Sequence, residues 1–401
     1  MHLNKIINKI ANFSISGVHL FYIAFLALYI SSFMKTTTYA DYVSPNLISR
    51  MSYLVVGILL LKIYFFDSLN IKIFSIDTII FILAVVVWRK THAFDIVIYA
   101  SLILGAKNVN FRSLIKWFFM IGLIMITFVI ISSQLGIIKD LVYMRNGFGR
   151  HSFGINYPTD FGAHILFLIL AYCYLRFIDL SWKDYFAFSI IGVILMLLTQ
   201  ARLDVIAIFV TIIVVLIAQK AYKGVKLFRE VASFFWIIPV LFAYVAVVAS
   251  YFYSSSNRIF DLFNNLFSER LRLSHLAISD YGIKLFGNLI TERGFGGSSG
   301  FHSFHVFGMG EQYFYIDSSF IRLFVIYGLV TAILFVILMT VIALRSILKS
   351  DFCMAGIIVL ISISCLVEPH LLDIAFNPFL IAFTASNVYY KKIRRNQSEK
   401  L

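Results

Sequence analysis

The sequence predicts an all-α polytopic integral membrane protein, with about 12 transmembrane helices and a large extracytoplasmic loop domain. Three observations predict it. Hydrophobic residues are 61% of the chain, charged residues are 13%, and mean hydropathy is +0.90. A soluble protein averages about 25% charged residues, so this chain could not cover a water-facing surface. Apolar windows of about 20 residues, enough to cross a bilayer as a helix, recur along the chain. Basic residues also concentrate in alternate polar connections.

That last pattern accounts for most of the formal net charge of +14. One set of short connections carries Lys5 and Lys9, Lys72, Lys107, Arg112 and Lys116, then Arg176 and Lys183. It continues with Lys220, Lys223, Lys226 and Arg229, with Arg345 and Lys349, and with the tail Lys391-Lys-Ile-Arg-Arg395 and Lys400. By the positive-inside rule this set is cytoplasmic, and so are both termini. The charge is therefore topology rather than a nucleic-acid surface. The expected location is the cell membrane, as a multi-pass protein.

The expected spans run over roughly 15–34, 47–66, 76–88, 92–106, 114–132, 160–178, 184–200, 203–219, 231–253, 317–344, 352–367 and 371–390. The third and fourth are short and could form a re-entrant hairpin. Residues 1–253 thus hold about nine helices and an outer loop at 133–159, and 254–316 form the large outer loop. Residues 317–390 hold the last helices, and 391–401 the cytoplasmic tail. Lysines flank a first apolar segment that resembles a signal peptide but is expected to remain as the first helix. Cys173, Cys353 and Cys365 lie in apolar spans, which implies neither a disulfide framework nor a thiolate metal site.

Outer basic residues are mostly arginine: Arg145, Arg150, Arg202, Arg258, Arg270, Arg272 and Arg293, against Lys139 and Lys284. Arginine's planar fork binds phosphate oxygens in pairs and never loses its charge. Arg202 is the most informative, because it sits between two apolar runs with almost no loop. A charge at that depth is a functional candidate; pairing with Asp204 or snorkelling to the headgroups would also explain it.

Within the large loop, Ile259, Leu262, Phe263, Leu266, Phe267, Leu271, Leu273 and Leu276 recur at helical spacing. They predict one amphipathic helix on the membrane surface or under a lid, with Arg270, Arg272 and His275 on its polar side. A solvated, internally ion-paired face is the competing reading. The run Gly294-Phe-Gly-Gly-Ser-Ser-Gly300 reads as a flexible lid or a plain linker. His302 and His305 are candidate acid–base groups, or metal ligands if a third partner exists. The outer turn Glu368-Pro-His-Leu-Leu-Asp373 offers a carboxylate and an imidazole suited to proton transfer, or simply a polar turn stopped by Pro369. His164 either packs the bundle or lines a cavity. There is no Asp-x-Asp and no phosphate-binding Gly-Lys-Ser/Thr ending.

Ser268-Glu-Arg270, Leu285-Phe-Gly287, the glycine run, Ile316-Asp-Ser-Ser-Phe320, Tyr327-Gly328, Glu368-Pro-His-Leu371 and Asn377-Pro378 form an ordered set over roughly residues 145–380. That set resembles the Wzy-type polysaccharide polymerases of the O-antigen polymerase and ligase superfamily, closest to the capsule and exopolysaccharide branch. Two departures stand out. Asn156-Tyr-Pro158 sits where relatives carry a His-Pro-Asn-like stretch, and Glu269 stands where the family has glycine.

The resemblance implies a GT-C-like, metal-independent glycosyltransferase without a cofactor. Its substrates would be polyprenyl-diphosphate-linked oligosaccharides, its surroundings membrane lipid, and its partners other polysaccharide-export proteins. Arg150, Arg202, Arg270, Arg272, Arg258 and Arg293 would hold the diphosphate. Glu368, His370, His302 and His305 would supply the base, with Asp317 and Tyr157 as further site residues. A ligase using another acceptor, a flippase for the same lipid, and a non-catalytic membrane assembly protein are the alternatives.

Overall fold

The computed structural model describes residues 16–67, 70–145, 147–307 and 313–390. Lys5, Lys9 and the expected tail 391–401 lie outside the described residues. Nine helical segments among those described are long and apolar enough to cross a membrane, and the chain is an all-α multi-pass membrane protein.

Helix α1 (Gly17–Lys35) is started by the Ser16 side chain and buries Phe21, Phe25, Leu28 and Tyr29 along one face. Helix α2 (Pro45–Leu61) continues as a wider turn over Lys62–Phe66. Helix α3 (Ile71–Thr91) is longer than the expected third span because Asn70 caps it ahead of the apolar run. Helix α4 (Asp95–Gly105) has only 11 residues. It is buried rather than lipid-facing. Helix α5 (Phe111–Gln134) follows.

Strands β1 (Val142–Arg145) and β2 (Phe148–His151) then form an antiparallel hairpin, pairing Val142 with His151. Helix α6 (Pro158–Arg176) is the most enclosed span, with α7 (Trp182–Thr199) and α8 (Arg202–Tyr222) beside it. Gly162 lets α6 approach α8: a Cβ there would stand 2.8 Å from Asp204 Oδ2 and 3.0 Å from Ala201 Cβ. Helices α9 (Lys226–Ala232) and α10 (Ile238–Tyr251) make one further span through a short 3₁₀ turn.

The expected single amphipathic helix is two helices, α11 (Arg258–Leu266) and α12 (Arg270–Tyr281). The break falls at Ser268 (φ 53°) and Glu269 (φ 66°), both left-handed. The periodicity runs through the break because the halves use it differently: α11 exposes Ile259, Leu262, Phe263 and Leu266, whereas α12 buries Leu273, Ala277 and Ile278. The glycine run is not a loose lid. It opens helix α13 (Gly297–Phe307), and Gly297 N–H donates to Asn156 O at 3.0 Å.

The expected span 317–344 is broken at Gly328 into α14 (Ser319–Val325) and α15 (Leu329–Leu348). Gly287 (φ 85°) and Gly328 (φ 91°) cross here; a Cβ on Gly287 would lie 1.9 Å from Ile326 O, and one on Gly328 2.3 Å from Gly287 N. No other residue fits either place.

Helix α16 (Cys353–Ser364) has 12 residues and packs on α8. Beyond it the expected helix 371–390 is absent. The chain runs as short 3₁₀ turns, His370–Leu372 and Phe379–Phe383, buried against α4, α5 and α15. Its apolar composition satisfied a span-length window, but Pro369 and Pro378 remove helix donors. Its polar backbone groups are met instead by Tyr99 Oη on Asn377 O, Asn377 Nδ2 on Leu371 O (3.0 Å), Arg345 Nη1 on Phe383 O (2.9 Å) and Ser386 N on Val109 O (2.8 Å). Irregular backbone survives at membrane depth when protein surrounds it in this way.

Candidate functional site

Arg270 opens α12 directly after the left-handed elbow, which turns its side chain inward. Its Nε lies 3.2 Å from Asp317 Oδ2, and its Nη2 donates to Glu368 Oε1 at 3.2 Å. Residues 316–320 hold the Glu368 turn in place. Ser318 Oγ donates to Cys365 O at 3.0 Å, Ser319 N donates to Glu368 O at 3.1 Å, and Leu371 N donates to Ser319 Oγ at 3.2 Å. Three of the short motifs singled out in the sequence therefore meet at one point.

His370 stands beside them. Its Nε2 lies 3.5 Å from Glu368 Oε2 and 3.6 Å from Asp160 Oδ1, and it is buried without a hydrogen-bond partner among the described residues. The imidazole stacks on Phe376 at 3.7 Å, and Phe376 stacks on His164 at 4.0 Å. His164 is fixed in turn by a 2.8 Å hydrogen bond with Thr36 Oγ1. So His164 packs and aligns the stack. Asp160 lies in the first turn of α6, where the helix dipole favours a carboxylate.

Burial pushes the Glu368 carboxyl up, but Arg270 and His370 outweigh it and hold Glu368 below its ordinary range. Burial pushes His370 down, but Glu368 and Asp160 outweigh it and raise the imidazole. Asp317 is pushed up to about 6 by burial, with Arg270 opposing. Glu368 is thus a carboxylate at neutral pH, and His370 holds its proton more tightly than a free imidazole.

A second group of charges lies next to the first. Arg145 on β1 donates from Nη2 to Ser268 Oγ at 3.3 Å. Arg150 on β2 is buried, donates from Nε to Thr199 O at 2.8 Å, and lies over the Tyr157 ring at 5.6 Å. Arg202 heads α8 with its side chain exposed, and no ion pair joins it to Asp204. Burial and the neighbouring guanidinium groups of Arg150, Arg202 and Arg270 hold Arg145 below its ordinary value. Among the described residues, Arg145, Arg150 and Arg202 have no carboxylate within ion-pair distance.

The other predicted residues lie apart from this centre. Arg272 pairs with Glu269 at 2.8 Å on the surface. Arg258 and Arg293 are exposed, at the start of α11 and in a short bridge to Phe314. His302 and His305 are exposed on α13, His305 against Phe301, and neither joins the Glu368 turn. His275 bonds Ser250 O at 2.8 Å on the opposite side of α12.

Sequence reasoning missed Asp160 and Asp204 as site groups, because each reads as the polar start of an apolar helix. Asp204 is buried with both carboxylate oxygens unpartnered. Their shared position, in the first turn of adjacent spans, was the available signal. Among the described residues, no group of three or more His, Cys, Asp or Glu is placed to hold a metal ion. No family model, curated protein or solved structure matches the chain.

Proposed function

We propose that this chain is a polymerase that joins polyprenyl-diphosphate-linked oligosaccharide repeats into a capsule or exopolysaccharide. The site end of the bundle would face outward and both termini inward. One observation carries the reading: Arg145, Arg150 and Arg202 gather from separate segments, free of carboxylates, beside the buried His370 and Glu368 and the half-buried Asp160. Clustered like charges repel. A bound dianion removes that cost, and guanidinium forks match its oxygens.

The chemistry follows from the two groups. The acceptor hydroxyl gives its proton to His370 Nε2, and its oxygen bonds to the anomeric carbon of the donor chain. The bond from that carbon to the diphosphate breaks, and the diphosphate leaves with the electron pair. Arginines already in position take up the charge, the kind of stabilisation that is usually the largest catalytic contribution. Glu368 and Asp160, which both face Nε2, stabilise the imidazolium once the proton has arrived there. Arg270 has two donors engaged by Asp317 and Glu368, so we assign it to orienting Glu368 rather than to gripping phosphate.

Asp204 favours a second reading. A buried carboxylate without a partner inside a span suits proton-coupled movement of a lipid-linked sugar. Reconstitution separates the two: chain growth supports the polymerase, and translocation without growth supports the transporter.

A further inference from the structure

A cavity of about 290 Å³ opens beside the acid–base set. It shares His370 and Asp160 with that set, but neither Arg270, Glu368 nor Asp317 lines it. Its other polar walls include Lys35, Asp95, Asn156, Arg322 and Asp373, with Tyr315 and Tyr327 supplying rings. The volume falls at the small end of ligand pockets, which span about 300–1,000 Å³. That is room for a single ring rather than a chain.

The lining is prearranged. Arg322 Nη1 is fixed by Glu292 Oε1 at 2.6 Å and Ile316 O at 3.1 Å. Asn156 Nδ2 is fixed by Lys35 O at 2.7 Å. Asp95 makes no side-chain hydrogen bond among the described residues, and His370 Nε2 lies buried between Glu368 Oε2 at 3.5 Å and Asp160 Oδ1 at 3.6 Å, too far for a strong bond to either. Carboxylates that accept, cations that donate and tyrosine faces that take C–H groups match a polyhydroxylated ring. Three carboxylates (Asp95, Asp160, Asp373) line the cavity with Lys35, Arg322 and His370, and two of those three cations are already shared with carboxylates outside it, Arg322 with Glu292 and His370 with Glu368. An acidic sugar would meet uncompensated negative charge there.

We propose that this cavity is the acceptor subsite, holding one uncharged, hexose-sized sugar ring with a hydroxyl presented to His370 Nε2. The assignment rests on the polymerase reading, and it adds where the acceptor binds and which sugars fit. Donor diphosphate and acceptor sugar then approach His370 from different sides: the arginine group and the cavity.

The test is saccharide binding to the full-length protein in detergent by saturation-transfer NMR, with glucose, galactose, N-acetylglucosamine and glucuronate as probes. Polyprenyl diphosphate is titrated separately. At least one neutral sugar binds and glucuronate does not. Asp95→Asn and Lys35→Ala each weaken that binding by about tenfold, the loss expected for one charge-assisted contact. Polyprenyl diphosphate binding stays unchanged in both, and Arg202→Ala shows the reverse pattern. Lys35 is exposed at the end of α1, so its variant reports even where Asp95→Asn fails to fold. A protein that binds polyprenyl diphosphate but no neutral sugar, or whose sugar binding survives both substitutions, overturns the cavity assignment and leaves the polymerase reading standing. Failure to bind either probe overturns both.

Discussion

Arg270 Nη2 donates to Glu368 Oε1 at 3.2 Å across a sequence separation of 98 residues. That contact joins the segment between α10 and α14 to the turn after α16, and Asp317 completes it from the start of α14. Removing one partner of a buried pair typically costs about 3–5 kcal/mol, because the other charge is left alone in the interior.

Arg270→Lys keeps the charge but cannot reach two carboxylates in separate directions. Polymer formation falls by about 10²-fold or more, on the scale of losing a positioned electrostatic contact. Protein abundance holds, which a quantitative membrane blot checks. Full activity in this variant would remove Arg270 from the mechanism.

Glu269 occupies a left-handed conformation that costs an ordinary residue about 1–2 kcal/mol. Its only ion pair among the described residues is the surface contact with Arg272, of the kind worth about 0–1 kcal/mol. Glu269→Gly therefore keeps activity and leaves thermal stability in detergent equal or slightly higher. Glu269→Val lowers it. A marked loss of stability on placing glycine here would contradict the reading of the elbow.

Gly287→Ala puts a Cβ 1.9 Å from Ile326 O, with backbone rather than a movable side chain in the way. The α14–Gly328–α15 break and the segment before α13 must then separate. Folded protein recovered from the membrane falls severalfold, as size-exclusion chromatography in detergent will register. Gly136→Ala has open space around it, and it costs only the strain of a left-handed backbone.

The acid limb of activity follows from His370. Its neighbours raise it above the usual value of about 6.5, so it is protonated, and unable to accept a proton, up to a higher pH than a free imidazole. Activity rises with pH, with a midpoint above 6.5. Glu368→Gln removes the leading partner that raises His370, so the residual activity shows a midpoint displaced to lower pH. An unmoved midpoint would assign the limb to another group.

Arg150→Lys and Arg202→Lys raise the KM for lipid-linked donor and steepen its increase with salt, since a point charge replaces a two-pronged contact. Arg258→Lys and Arg293→Lys, exposed and away from the centre, leave KM unchanged. Initial rates at several donor concentrations distinguish the two sets.

The membrane class was legible because composition alone excludes a soluble surface. The candidate site was legible in pieces: Arg270, Glu368 and His370 stood out as polar residues amid apolar sequence, Asp317 entered only through the family resemblance, and the structure brings the four together. Asp160 and Asp204 did not stand out, because a carboxylate in a first helical turn is ordinary there. The segment after Glu368 reads as a helix in sequence but is irregular, because hydropathy reports burial in any apolar surrounding, lipid or protein. Only Pro369 and Pro378 signalled the difference. Likewise the apolar spacing from Ile259 to Leu276 ran unbroken across Ser268 and Glu269, where nothing but backbone φ records the turn.

The most direct test gives the purified full-length chain, in lipid, a polyprenyl-diphosphate-linked repeat unit without nucleotide sugar or added metal. The expected result is a ladder of lengthening glycan on a gel and release of polyprenyl diphosphate in step with it, both lost in His370→Ala. An intact, folded protein that binds the lipid yet gives neither ladder nor released diphosphate would contradict it.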